Sequence, residues 1–168
     1  MATERTLLLN DQQISRKITR IAHQIYEDHY QAKELVVVGV TGKGQLIAER
    51  IAALIKEIST LKVQVFELTL QKDSPLSSPI VFSGTPKDTK GKVVILVDDV
   101  LNSGRTLIYG AKYLLDAEPQ SLSIATLVDR FHRRFPIRAD YVGLTLSTNL
   151  KQHVSVEVAK GKLSAFLQ

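Results

Sequence analysis

The 168-residue chain contains no cysteine. Disulfides and thiolate metal sites are therefore excluded. No apolar run approaches the roughly 18 residues of a membrane-spanning helix. The opening stretch "MATERTLLLNDQQ" has neither the long apolar core nor the small-residue cleavage site of a signal peptide. A cytoplasmic protein is the expectation. Internal repeats and low-complexity tracts are also missing. What is present, 44% hydrophobic and 23% charged residues, is the make-up of an ordinary globular chain, and the length suits a single domain across residues 1–168. The net charge of +5 suits phosphorylated ligands or nucleic acid without choosing between them.

Five runs rich in Val and Ile read as strands: Glu34–Val40, Leu61–Leu70, Lys92–Val97, Ser121–Val128 and Tyr141–Leu146. The first and third show no alternation, which predicts central strands buried on both faces. Helical patterns lie between them. Asn10 or Asp11 could cap a first helix, with Ile14, Ile18, Ile21 and Ile25 as its apolar stripe. Gly44–Ile58 and Gly104–Ala117 read as two more. Strands alternating with helices predict an α/β fold, a mainly parallel sheet with right-handed crossovers. One segment departs from the pattern. Gln71–Gly91 holds three prolines and two glycines, and a connection of about twenty residues in a compact domain is either a lid or a plain solvated loop. Its "PIVF" could form a brief strand.

The chemistry concentrates in "VVILVDDVLNSGRTL", Val93–Leu107. Two acids at the C-terminal end of a buried strand can both reach the crevice where open α/β sheets bind ligands. The small-polar turn after them leads into a helix, whose exposed N–H groups, with the hydroxyls of Ser103 and Thr106, make an anion cradle. Carboxylates beside an anion cradle would repel the anion unless they faced ribose hydroxyls or a metal. A ligand carrying both a phosphate and a diol satisfies both halves. The blander alternative is that the acids cap the helix and the glycine makes a tight turn.

The whole string resembles the signature of type I phosphoribosyltransferases: hydrophobics at Val93–Val97, acids at Asp98 and Asp99, Val100 and Leu101, then Asn102, Ser103, Gly104, Arg105 and Thr106. The resemblance implies the type I phosphoribosyltransferase fold with a small hood, at about residues 71–91. It implies that Asp98 and Asp99 hold the 2′- and 3′-hydroxyls of phosphoribosyl pyrophosphate, and that Asn102–Thr106 hold its 5′-phosphate. "GVTGKG", Gly39–Gly44, is neither a P-loop nor G-x-G-x-x-G. In the family this turn binds the leaving pyrophosphate, through Thr41, Gly42, Lys43 and Gly44, and relatives often carry Arg where this chain has Lys43. Lys72 at the lid's start is either a second pyrophosphate contact or a solvated surface lysine.

"VDRFHRRFPIRADYVG", Val128–Gly143, carries four arginines and a histidine within nine residues, which could simply be a solvated basic loop. With "TRIAH" at Thr19–His23, "LVDR" at Leu127–Arg130 and "PIRADYVG" at Pro136–Gly143, the chain closely resembles the pyrimidine operon regulators of the PyrR type, from about residue 7 to residue 158. These are uracil phosphoribosyltransferases that double as RNA-binding attenuators. The resemblance implies Mg²⁺ as cofactor, a homodimer or higher homo-oligomer, and a base site formed by Asp129, Arg130, Tyr141 and Val142. Asn102 stands where purine-using relatives carry an acid, which favours a pyrimidine over hypoxanthine or guanine. On the first helix Arg16, Arg20 and His23 fall opposite the isoleucines. With Thr19, His132, Arg133, Arg134 and Arg138 they are candidate RNA contacts, or else a solvated face. Three departures stand out: the lid is short, Leu144 replaces a usual lysine, and "LSTNLKQ" at Leu146–Gln152 replaces a more basic segment.

Overall fold

The computed structural model describes residues 4–168. In chain order the elements are β1 (Thr6–Leu9), α1 (Asp11–His29), β2 (Glu34–Val40), α2 (Lys43–Ile58), β3 (Lys62–Thr69), β4 (Val81–Phe82), α3 (Pro86–Thr89), β5 (Val93–Leu101), α4 (Arg105–Leu115), β6 (Ser121–Asp129), β7 (Tyr141–Thr145), β8 (Val154–Ala159) and β9 (Lys162–Leu167). Six strands form the main sheet in the order β4-β3-β2-β5-β6-β7. All its neighbours run parallel except the two-residue edge strand β4.

The unalternating strands are central, as expected. Successive residues of β2 and β5 enter opposite cores. Leu35, Val37, Val93, Ile95 and Val97 pack with α1 and α2. Val36, Val38, Val94 and Leu96 pack with Leu107, Ala111 and Leu114 of α4 on the other face. A strand covered on both faces has no polar position to alternate with. The stripe Ile14, Ile18, Ile21 and Ile25 is buried to 1% exposure or less, and each such side chain contributes about 1.5–3 kcal/mol by leaving water.

Asn10, rather than Asp11, caps α1. Its side chain accepts from the Gln13 N–H at 2.9 Å, and the Gln13 side chain accepts from the Asn10 N–H at 2.9 Å, a reciprocal capping box. Asp11 turns instead to accept from the Leu163 N–H at 2.8 Å, which ties α1 to β9.

The segment expected to carry the hood begins at a pocket, with Lys72 and Asp73 in its lining. Gln71–Gly91 supplies an edge hairpin: β4 pairs antiparallel with β3, Leu68 opposite Phe82. The second sheet has the order β1-β9-β8 and joins the two ends of the chain, Thr6 opposite Leu167 and Val154 opposite Leu167 on the other side. Its inner residues Val154, Val156, Leu163 and Ala165 continue the core shared with α1 and α2.

Candidate functional site

The register of the sheet makes the site. β2 stays paired with β5 only as far as Gly39 opposite Val97. Beyond that point β5 continues beside β6 alone, with Asp98 opposite Thr126 and Leu101 opposite Asp129. The acid pair therefore stands at a step where one neighbour has ended, and the gap opens a pocket of about 400 Å³. Asp98 and Asp99 form its floor, the whole turn Asn102–Thr106 one wall, Lys43 and Lys72–Asp73 another, and His153 with Val154–Val156 of β8 the roof.

Each acid is fixed by its own backbone. Asp98 Oδ1 accepts from the Asp99 N–H at 2.9 Å, and Asp99 Oδ1 accepts from the Val100 N–H at 2.9 Å. Gly44 is required behind them, because a Cβ there would come within 2.9 Å of the Val97 carbonyl oxygen and 3.0 Å of Asp98 Oδ1. Burial, followed by repulsion from Asp99, pushes the Asp98 carboxyl up to about 8, against a smaller opposing pull from Lys72. Lys72 Nζ lies 3.8 Å from Asp98 Oδ1 and 4.0 Å from Asp99 Oδ1. With its side chain half exposed, it is the movable partner of a fixed pair.

The turn after β5 begins α4 at Gly104, whose φ of +87° favours glycine and which supplies no side-chain cap. A Cβ at this position would sit 2.6 Å from Ile137 Cγ2. The first-turn N–H groups of α4 thus face the pocket with the partial positive charge of a helix start. Ser103 Oγ accepts from the Arg105 N–H at 3.3 Å, and the Arg105 guanidinium donates to the Asp73 carbonyl at 2.9 Å. That bond fastens the start of the Gln71–Gly91 segment to the Asn102–Thr106 turn.

Of the glycine-rich turn Thr41–Gly44, only Lys43 lines the pocket. Thr41 is held to β3: its N–H donates to the Leu68 carbonyl at 3.0 Å, and its hydroxyl lies 2.6 Å from that of Thr69. Gly42, with φ +94°, begins α2 without a side-chain cap.

The four residues expected at the base lie outside the pocket lining. Asp129 accepts from the Phe131 N–H at 3.0 Å and from Arg133 at 2.6 Å. Arg130 donates to Asn102 Oδ1 at 2.8 Å and so touches the wall from behind. Tyr141 lies opposite Ala125 and its ring enters the core. Its hydroxyl donates to Asp28 Oδ2 at 2.7 Å, and burial together with that bond pushes its pKa above the ordinary tyrosine range. Position on the inward face of β7 decides this, so Tyr141 is a core residue here. Val142 pairs with Thr126, and its carbonyl accepts from Arg20 at 2.8 Å.

The basic row of α1 is outward as expected. Arg16, Thr19, Arg20 and His23 are all exposed, although Arg20 also donates to the Gly143 carbonyl at 2.7 Å and thereby covers the free edge of β7. Thr19 donates back to the Ser15 carbonyl. In the other basic segment His132 bonds the Thr148 carbonyl and Arg133 bonds Asp129. Arg134 and Arg138 are exposed.

Sequence reasoning missed the roof. "HVSVEVA" alternates apolar and polar residues, the period of a half-buried strand, and that signal was available. Its place over the acids was not, because β8 is held there by β9, which is itself anchored on β1 at the other end of the chain.

The phosphoribosyl transferase domain model matches residues 5–160. The chain is 39% identical to the bifunctional protein PyrR of Pelotomaculum thermopropionicum, over 94% of this chain and 91% of that protein. It is 42% identical to the bifunctional protein PyrR of Clostridium acetobutylicum, over 90% and 89%. Among solved structures it resembles the hypoxanthine phosphoribosyltransferase of Trypanosoma cruzi, with a TM-score of 0.73 at 20% identity over 84% of this chain and 81% of that one. A hypoxanthine-guanine phosphoribosyltransferase from Bacillus anthracis gives 0.70 at 24% identity, over 84% and 82%. At these identities the two structures speak for the fold.

Proposed function

The chain belongs to the phosphoribosyltransferase family, within it to the PyrR type, and from that premise we propose that it transfers 5-phosphoribosyl from phosphoribosyl pyrophosphate to a ring nitrogen of uracil, giving UMP and pyrophosphate. The observation that carries this reading is the convergence of Asp98, Asp99, the turn Asn102–Thr106, Lys43 and Lys72 on one pocket.

In this reading Asp98 and Asp99 accept hydrogen bonds from the ribose 2′- and 3′-hydroxyls. Ser103, Gly104, Arg105 and Thr106 hold the 5′-phosphate by N–H groups, hydroxyls and charge, with Asn102 beside them. Lys43 and Lys72 face the pyrophosphate. Lys72 stands against the acids while no diol engages them, and substrate binding frees it toward the leaving group. As the bond from C1′ to pyrophosphate breaks ahead of the bond to the base nitrogen, positive charge grows on the ribose ring. Asp99, the more open acid, is the better placed to meet it. Val154 and Val156 keep water from the roof side. The work is positioning and electrostatics rather than covalent catalysis.

Mg²⁺, when bound, neutralises pyrophosphate charge. The oxygens of Asp98 and Asp99 suit such a hard cation, and among the described residues no group of three or more potential ligands gathers to hold one without the substrate. Uracil enters on the side where Asn102 meets the Arg130 segment. Asp129, Tyr141 and Val142 support that wall from behind.

A panel of radiolabelled uracil, hypoxanthine and guanine with phosphoribosyl pyrophosphate and Mg²⁺ tests the assignment. UMP formation with uracil is expected. Preference for a purine would overturn the choice of base, and no transfer to any base would overturn the reading.

A second activity is favoured by the exposed Arg16, Thr19 and His23 on α1 and by Arg138, whose side chain is 82% exposed: nucleotide-gated binding of an RNA hairpin. Phosphate contacts by these groups would weaken steeply with salt. A gel shift with a pyrimidine-leader RNA, with and without UMP, is the test, and no shift at low salt would end it. A cytoplasmic homo-oligomer fits both activities, with sedimentation equilibrium as the measure of its order.

A further inference from the structure

Arg130 is the one buried cation among the described residues, 8% exposed. No carboxylate among those residues comes within 4.0 Å of its guanidinium. Every partner it has is neutral. Nε donates to Thr148 Oγ1 at 3.1 Å, one terminal nitrogen to Asn102 Oδ1 at 2.8 Å, and the other to the Gln152 carbonyl. Its backbone N–H donates to the Leu101 carbonyl at 3.2 Å.

These partners belong to segments that bound the pocket on two sides. Asn102 opens the anion-binding turn. Gln152 precedes His153, where the roof begins. The guanidinium therefore fixes the spacing between the turn and the lead-in to β8, through acceptors that lie in three directions. A planar fork can serve all three at once, whereas an ammonium on a flexible stem cannot hold the same geometry. The charge itself is left over. Burying a cation without a counter-ion is costly unless an anion arrives to offset it, and the pocket one residue away is built for an anion.

We infer that Arg130 is a positioning residue for phosphoribosyl pyrophosphate: it clamps Asn102 to the Thr148–Gln152 segment and lends an uncompensated positive charge to the 5′-phosphate turn. The inference rests on reading the pocket as the site of that substrate. It assigns Arg130 to the sugar-phosphate half of the reaction and away from direct contact with the base.

Steady-state kinetics of the full chain, varying each substrate separately, test it with three variants. Arg130→Lys keeps a charge and loses the fork. It is expected to raise KM for phosphoribosyl pyrophosphate about tenfold, with kcat and the uracil KM within about threefold of the parent. Arg130→Gln loses the charge as well, and about a hundredfold is expected. Thr148→Val removes one acceptor outside the pocket lining, and about threefold is expected. Fold is checked by circular dichroism, and if neither Arg130 variant folds, Thr148→Val decides alone. An unchanged KM for phosphoribosyl pyrophosphate, a loss confined to kcat, or a rise confined to the uracil KM overturns the inference. A parallel thermal melt separates the two levels. If phosphoribosyl pyrophosphate fails to stabilise the unmutated protein, the pocket reading is wrong and the role of Arg130 falls with it. If it stabilises the parent while Arg130→Lys keeps the parent KM, only the role of Arg130 is wrong.

Discussion

The turn Asn102–Thr106 and the loop Phe131–Asp140 lie against one another, joined by the N–H groups of Arg134 and Phe135, which donate to the Ser103 carbonyl at 2.8 and 3.1 Å. Both are polar, and both carry residues that match the family pattern. They differ in where their hydrogen-bonding capacity goes. Around the loop the polar groups satisfy one another: Asp129 with Arg133, His132 with the Thr148 carbonyl, Asp140 with the Ile124 N–H at 2.9 Å. In the turn, Gly104 gives α4 no side-chain cap, the Arg105 N–H has only Ser103 Oγ at 3.3 Å, and Thr106 and Leu107 of the first turn line the cavity. Folding that satisfies a polar group internally makes it scaffold, while a group left unsatisfied at a pocket is available to a ligand.

The sharpest way to break this contrast is to neutralise one acid on each side. Asp99→Asn is expected to lower kcat/KM by about 10²–10³-fold, in the range for removing a preorganised group that faces transition-state charge. Asp129→Asn, the same change in the scaffold, is expected to cost less than about tenfold. Equal losses would erase the distinction. Next in size is Gly104→Ala, which imposes a Cβ at φ +87° against Ile137. The expected cost is about 1–3 kcal/mol, read as a lower Tm at about 2–4 °C per kcal/mol for a chain of this length. An unchanged Tm would mean that the turn can relax.

The third way uses pH. Asp98 titrates near 8 in the folded protein against 3.8 ordinarily, so between about pH 4 and 8 the folded state holds a proton that the unfolded state has released. Stability contributed by this group therefore falls as pH rises through that window and levels off above it. Asp98→Asn should remove that slope, and its Tm should exceed that of the parent by the widest margin near pH 9. A parent and variant whose melts run parallel from pH 5 to 9 would contradict the burial of Asp98. The smallest effect belongs to Tyr141→Phe, which deletes the bond to Asp28. About 1 kcal/mol of stability is expected to go, with kcat/KM and the uracil KM within about twofold. A large rise in the uracil KM would return Tyr141 to the base site.

Sequence pattern alone carried the central sheet well. The bounds of β2 match the reading, and β5 runs four residues beyond it because the acids continue the strand beside β6 after β2 has ended. The signature turn was legible because its chemistry is local, fourteen consecutive residues that need one another at fixed spacing. The burial of Tyr141 in the core was not legible, because a strand's inward and outward faces differ by a single residue of register, which motif matching does not resolve. The terminal sheet went unread for a different reason. A proline-rich loop announces itself by composition, whereas β1, β8 and β9 are ordinary short strands whose meaning lies in pairings such as Thr6 with Leu167.

That terminal sheet has a consequence for how the molecule is born. The acid floor and the Asn102–Thr106 turn lie within the first 106 residues, but β8, which covers them, is paired with β9, and β9 in turn pairs with β1 at the other end of the chain. A nascent polypeptide emerging from the ribosome would present Asp98 and Asp99 uncovered for about sixty residues of synthesis, and closing so long a loop is slow in such a topology. The enclosed chamber is therefore the last part to mature.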